Sequence, residues 1–282
     1  MRCLMLEKMH SHETPAIFRR FTLALLFLSL LPGVAFAQER FDSTGAKQLV
    51  DLINQERAHR GLPPLAVDER LNQAARRHTD LMVKHRDLSH QFGGEPSLQV
   101  RIADENLRSD RQAENVALEM DVAGINTILM HSPPHRANIL SPNYNAVGVA
   151  LVLSGGRMYA TEDFAHRLPD YSEPEADTVL QKAITNYTMS QGLSVPARKP
   201  QAAIRQMACD MALTDALDTV TPKSIAGVHR VLAWTATDLE RLPDGVKTSL
   251  SQPLSSGYSL GVCFAPSVSR PGGVYWIVMV AY

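Results

Sequence analysis

The nine residues Ser132-Pro133-Pro134-His135-Arg136-Ala137-Asn138-Ile139-Leu140 separate a helical pattern before them from a pair of strand patterns after them. His135 supplies a group able to bind a proton or a metal ion. Arg136 and Asn138 carry donors suited to holding the backbone of their own loop. Just upstream, 121–130 reads as a helix. Downstream, 145–152 (NAVGVALV) and 158–165 (MYATEDFA) read as two strands, with Ser154-Gly155-Gly156 as the turn between them.

Further out the same logic extends to the N-terminal side. Over 44–60, Ala46, Leu49, Val50, Ile53 and the stem of Arg57 recur at three- and four-residue spacing, which predicts an amphipathic helix. Gly61 and Pro63-Pro64 stop it. Asp68 is placed to cap a second helix whose Leu71, Ala74, Ala75, His78, Leu81, Met82 and His85 share one face. On that face His78 reads as a buried, hydrogen-bonded structural histidine, while His85 and His131 read as partly exposed. A polar, Gly-containing stretch over 89–112 interrupts the pattern.

On the C-terminal side, 168–177 (LPDYSEPEAD) holds two Pro, four acidic residues and little apolar content, the composition of a linker. The pattern then starts again. A helix is expected over 178–191, followed by Gly192-Leu193 as Gly61-Leu62 followed the first. Ile204-Arg205-Gln206-Met207-Ala208 echoes Leu71-Asn72-Gln73-Ala74-Ala75, and Tyr258 to Val262 echoes Tyr144 to Val149. The run 274–281 (VYWIVMVA) is apolar almost throughout and predicts a strand covered on both faces. The expected organisation is 1–37 as an export signal, 44–167 and 178–282 as two related α-β-α sandwiches of mixed α/β (α+β) class with antiparallel sheets, and 168–177 between them. An unrelated α/β second domain with a similar element order is the alternative.

The 282 residues carry 28 Lys or Arg against 29 Asp or Glu, a net charge of −1, which argues against broad nucleic-acid binding. At 45% apolar residues the chain is not of disordered composition. Arg19-Arg20, an apolar run over 21–31, Pro32-Gly33 and Ala35-Phe36-Ala37 form the pattern of a cleavable secretory signal, with cleavage after Ala37; an uncleaved anchor is the alternative. Its removal takes four basic and two acidic residues, leaving 24 and 27 and a net charge of −3. No later stretch is apolar enough to cross a membrane. Cys3 would leave with the signal, so Cys209 and Cys263 remain, either as a disulfide or as two buried thiols.

The blocks of the first half, taken in order, resemble the CAP superfamily of cysteine-rich secretory, antigen 5 and pathogenesis-related proteins (the SCP domain) in its bacterial secreted form. The blocks are Leu52 to Arg57 with Gly61 to Leu65, Leu88-Ser89-His90, Ala113-Glu114-Asn115-Val116-Ala117, the Ser132 to Leu140 run, and Tyr144 to Val149 with Tyr159 to Phe164. The resemblance implies a CAP-type sandwich with a cleft lined by two His and two Glu, which in some members takes a divalent cation. His90 and Glu114 match the first His and first Glu, and His135 matches the His of the bacterial block. The second Glu is unmatched, since Leu129-Met130-His131-Ser132 stands where other members have a Trp-containing helix. Glu162 stands where the last strand has Gln and offers a nearby carboxylate, and Tyr144 is expected to border the cleft. In the second half no such set recurs: Met211 falls near the place of His78, Ala233 to Asp238 stands in place of the His-Arg block, and His229 is alone.

By themselves His90, Glu114 and His135 could hold a zinc-like ion or form a polar cluster pinning a loop. No H-E-x-x-H, C-x-x-C, G-x-S-x-G or Walker-type loop is present. Three functions fit. The first is a secreted or periplasmic binding module for a lipid, an envelope component or a protein partner, needing no cofactor, with His90 and His135 available to a divalent cation such as zinc. The second is a hydrolase of peptides or envelope polymers with Glu114 as base, though no catalytic residue is identified and no activated Ser or Cys stands out. The third is a two-domain assembly scaffold.

Overall fold

The computed structural model describes residues 39–198, 201–252 and 256–282. The expected export signal over 1–37, its cleavage point and Cys3 lie outside the described residues. After the two-residue strand β1 (Arg40–Phe41), helix α1 (Ser43–Ala58) opens where the Asp42 carboxylate accepts the Gly45 N–H, and it buries Leu49, Val50 and Ile53. Arg57, expected to contribute only its stem, is buried to the tip. Its guanidinium donates to the carbonyls of Pro63, Ile139 and Ser141 at 2.8–2.9 Å. A short strand β2 (Ala66–Val67) leads to Asp68, which caps α2 (Glu69–His85) as expected.

Residues 89–112 hold more structure than their polarity suggests. They contain helix α3 (Leu98–Asp104) and the start of strand β3 (Ser109–Glu119). Helix α4 (Val122–His131) follows, and the Ser132 to Leu140 run is itself a short helix, α5 (Pro133–Ile139), with proline in its first turn. The expected hairpin is strands β4 (Ala146–Ser154) and β5 (Arg157–Arg167), turning through Gly155 and Gly156, both at positive φ.

The first sheet has the order β1-β4-β5-β3, with β2 pairing alongside β4, so β5 is central and β3 is an edge. Neighbouring residues on a strand point to opposite faces. One face packs Val147, Val149, Leu151, Ala160 and Phe164 against α1, α4 and α5. The other packs Val116, Val152, Tyr159 and Ala165 against α2 and α3. These are the three layers of an α-β-α sandwich.

In the second half α6 (Glu173–Ser190) begins five residues earlier than the composition suggests. Ser172 and Glu175 form a reciprocal capping box, so the Pro and Glu of the supposed linker are a helix start. Helix α7 (Ala202–Thr214), strand β6 (Arg230–Ala236), helix α8 (Asp244–Leu250) and strands β7 (Tyr258–Ser267) and β8 (Arg270–Ala281) complete the chain. The sheet order is β6-β8-β7, all antiparallel. β8 is covered on both faces, with Tyr275, Ile277 and Met279 toward α6 and α8, and Trp276, Val278 and Val280 toward α7. Cys209 on α7 and Cys263 on β7 are joined in a disulfide with Cα atoms 5.1 Å apart.

The two sheets meet at Arg108. Its guanidinium lies 3.7 Å over the Phe264 ring and donates to the Tyr275 hydroxyl at 2.7 Å. Gly273, at positive φ, makes room for Phe264, whose ring a Cβ there would overlap.

Candidate functional site

Strand β3 brings Glu114 and Asn115 to the sheet edge with opposite facings. Glu114 pairs in register with Asp163 of β5, and Asn115 with Glu162. The two pairs therefore project to different layers of the sandwich.

On the α2–α3 face, the Glu114 carboxylate is enclosed, with 4% of its side chain exposed. One oxygen accepts from His90 Nδ1 at 2.9 Å and the other from Arg101 at 2.7 Å. Arg101 on α3 is buried and also lies 3.6 Å from Glu95. His78 is buried as expected, bound through Nδ1 to Glu95 at 2.7 Å and through Nε2 to the Ser89 carbonyl at 2.8 Å. Asp163 completes the cluster with both oxygens buried and no hydrogen-bond donor within reach. Burial, and then the charge of Glu114, push its carboxyl well above the usual range, so the protonated form is favoured. Burial also acts on Glu114, but the His90 hydrogen bond and the Arg101 charge outweigh it and hold that carboxyl below its ordinary value.

The outer side of the cluster is imidazole. His90 has 58% of its side chain exposed. The Glu114 hydrogen bond raises its pKa above the ordinary histidine value. His135, at the start of α5, sits with its ring centre 6.4 Å from that of His90. Burial, followed by the His90 charge, lowers its pKa. The pKa values of the two neighbouring imidazoles are thus pushed apart, His90 upward and His135 downward.

On the other face Glu162 is fully buried. Asn115 donates to it at 2.9 Å and to the His135 carbonyl at 3.2 Å, and the Asn115 oxygen accepts from Asn138 at 2.9 Å. Burial raises the Glu162 carboxyl to about 7 against the Asn115 hydrogen bond. Glu162 therefore does not offer its carboxylate beside His90, because consecutive strand residues face apart. It sits behind α5 and pins that helix to β3. Asn138 reaches past its own loop to this network, while Arg136 donates to the Met130 carbonyl as a loop-holding residue. Tyr144 stacks on Phe164, ring centres 5.9 Å apart, in the same layer as Glu162.

The structure thus joins His90 to Glu114 and sets His135 beside His90, while Glu162 and Tyr144 lie in the α5 layer, Glu162 linked to the His135 carbonyl through Asn115. Sequence reasoning missed Glu95, Arg101 and Asp163. The one signal for them was the Glu162-Asp163 pair inside an otherwise apolar central strand, where one carboxylate must point into each layer.

Among the described residues, no three His, Cys, Asp or Glu side chains converge to hold a metal ion. Glu114 has both oxygens engaged, so the donor set beside His90 and His135 falls a ligand short of a centre built from two imidazoles and a carboxylate. Two larger cavities, of about 760 and 710 Å³, lie elsewhere, and neither is lined by His90, Glu114 or His135.

Residues 50–164 match the model of the CAP, or cysteine-rich secretory protein, family. The chain is similar to an uncharacterized protein, YkwD, of Bacillus subtilis (strain 168), at 31% identity over 118 residues, covering 39% of this chain and 43% of that protein. It is also similar to an uncharacterized membrane protein, YlbC, of the same organism, at 27% identity over 130 residues, covering 46% of this chain and 36% of that one. The chain thus spans less than half the length of either relative. A solved extracellular protein containing a SCP domain from Bacillus anthracis str. Ames is 25% identical, with 43% of this chain and 40% of that chain covered and a TM-score of 0.40. Among the described residues no helix is long and apolar enough to cross a membrane.

Proposed function

We propose that this is a secreted or periplasmic, non-enzymatic binding module that recognises a component of the cell envelope through the imidazole edges of His90 and His135. The reading rests on how Glu114 is used. Both its oxygens are engaged, by His90 and Arg101, and its carboxylate is enclosed, so it orients His90 rather than waiting as a free base. His90 and His135 present two neighbouring imidazole edges able to donate or accept hydrogen bonds, suited to a polar headgroup or a sugar–peptide polymer. The N-terminal pattern over 1–37 supports export.

We read the second half as a diverged copy of the first that serves a structural or partner-binding role. What supports this is a common order of two helices, an edge strand, a helical connection and a hairpin, with the last strand central in both sheets.

Cosedimentation of the purified protein tests the proposal, with insoluble peptidoglycan sacculi and, separately, vesicles of phosphatidylethanolamine and phosphatidylglycerol. Retention on one of them should fall about tenfold, equal to 1.4 kcal/mol, in His90→Ala with His135→Ala. Unchanged retention in that variant would remove the site from the reading. Release of soluble fragments from sacculi, abolished by Glu114→Gln, would replace it with the hydrolase.

A further inference from the structure

Where the two halves meet, a cleft of about 710 Å³ opens between the β3–β5 end of the first sheet and, in the second half, the β6–α8 connection with the β7–β8 hairpin. It is distinct from the His90 edge and requires both halves. Its lining includes His166 and Asp110 from the first half and Arg241 and Arg270 from the second.

His166 Nδ1 is hydrogen-bonded to Asp110 at 2.6 Å. A carboxylate on Nδ1 selects the tautomer with the proton there, leaving Nε2 as an acceptor. Among the described residues Nε2 has no hydrogen-bond partner.

Three carboxylates line the cleft. Asp110 is bound to His166, Asp244 pairs with Lys247 at 3.1 Å, and Asp238 accepts only the backbone N–H of Glu240 at 2.9 Å. Three guanidiniums line it as well. Arg111 donates to the neutral Asn143 amide at 3.0 Å, and among the described residues Arg241 and Arg270 have no ion-pair partner. With Lys247, the lining carries four fixed cations against three carboxylates, and the Arg241 and Arg270 guanidiniums are free to bind a carboxylate or phosphate. Ser267, Ser269 and Thr237 add hydroxyls to the same wall.

We propose that this cleft binds an acidic saccharide, its carboxylate held by Arg241 and Arg270 and one of its hydroxyls donating to His166 Nε2. The mixture of unpaired guanidinium, an oriented imidazole and a hydroxyl-lined wall matches a charged polyol better than an apolar ligand. The site stands apart from the His90 reading, and either can fail without the other.

Calorimetric titration of the purified protein with tetragalacturonate tests it, alongside a neutral tetrasaccharide and inorganic phosphate. Tetragalacturonate should bind, more weakly at high salt, while the neutral sugar should not. Arg241→Gln with Arg270→Gln should weaken binding at least about tenfold, and His166→Asn by about threefold, as hydrogen bonds to charged and to neutral groups differ. Lys182→Gln with Lys223→Gln removes as much charge outside the cleft and should leave binding within about twofold. Absence of tetragalacturonate binding, equal loss in the Lys pair, or an unchanged arginine pair would overturn the proposal. Phosphate binding as tight as the saccharide, and lost with the same arginines, would overturn the saccharide assignment in favour of a phosphate site.

Discussion

The two halves cross helix over sheet at matching points and fill the crossing with opposite chemistry. In the first, Gly148 of β4 lies so close to the backbone of Leu71 and Asn72 on α2 that a Cβ would overlap it. In the second, Gly261 of β7 lies against Ile204 and Arg205 on α7 in the same way. Aligning these crossings aligns everything near them. His78, seven residues after Leu71, corresponds to Met211, seven after Ile204. Gly148 is in register with Asp163 and Gly261 with Val278, while Glu114 pairs with Asp163 and Ala233 with Val278. The adjacent pair, Asn115 with Glu162, becomes Trp234 with Ile277. The Trp234 segment therefore stands in the place of the Glu114 strand, not of the His-Arg block as its sequence suggested. The same frame accommodates a buried charge cluster in one half and a continuous apolar core with a disulfide in the other. Hence the frame does not require the cluster, which is consistent with a binding role for it.

The largest test of this contrast is to unbalance the cluster. Arg101→Met leaves Glu95 and Glu114 buried with their cation gone, and should cost about 3–5 kcal/mol in urea unfolding. Replacing the whole cluster together, as His78→Met, Glu95→Leu, Arg101→Met, Glu114→Ala and Asp163→Val, should cost clearly less, since apolar replacement of a whole buried network is often near neutral. A fivefold variant as unstable as Arg101→Met would mean that the first half depends on its charges for folding.

The second half has a covalent link where the first has none. Replacing Cys209 and Cys263 by Ala, which opens a loop of sequence separation 54, should cost about 4 kcal/mol on the chain-entropy account. Reduction of the exported protein should add two protons to its mass. Free thiols before reduction would refute the bridge.

Glu162, opposite Ile277 in this alignment, gives a pH-dependent contrast. Its carboxyl rises from an ordinary value of 4.5 to about 7 on folding. The folded state therefore holds its proton more tightly, and the stability it contributes is full below about 4.5 and lost as pH rises through about 7. Glu162→Gln keeps an acceptor for Asn115 and cannot ionise. It should match the parent near pH 4 and exceed it by about 3 kcal/mol at pH 8. Equal stability of the two proteins at both pH values would show that the carboxylate is solvated and α5 mobile.

Much of the frame was legible because it rests on local rules: the Asp68 cap, the Gly155-Gly156 turn, the two-sided apolar run of β8 and the paired glycine blocks. His90, Glu114 and His135 were legible as a set through the order of their blocks. What escaped was long-range. β3 was not read as a strand because its buried positions include Glu114 and Asn115, whose partners come from α2, α3 and α5. Arg101 and Glu95 look like solvated loop charges until α3 folds over them. The facing of Glu162 followed from period-two alternation, but only once β5 was known to be central and covered on both sides.

The smallest effect is also the most even-handed, because it treats both halves alike. Gly148→Ala and Gly261→Ala each add one methyl that must displace helix backbone, α2 in one case and α7 in the other. Backbone cannot swing aside as a flexible side chain does, so each change should cost about 1–3 kcal/mol. Their consequences should differ. Moving α2 shifts His78 and with it the Glu95–Arg101–Glu114 cluster, so Gly148→Ala should also lower the His90 pKa measured by NMR titration, by loosening its hydrogen bond to Glu114. Moving α7 disturbs apolar contacts, the disulfide and the Arg205 ion pairs with Glu173 and Asp177, all within the second half, and Gly261→Ala should leave His90 where it is. If both variants shift His90 equally, the two crossings are mechanically coupled through the Arg108 contact, and the halves behave as one cooperative body rather than two similar frames.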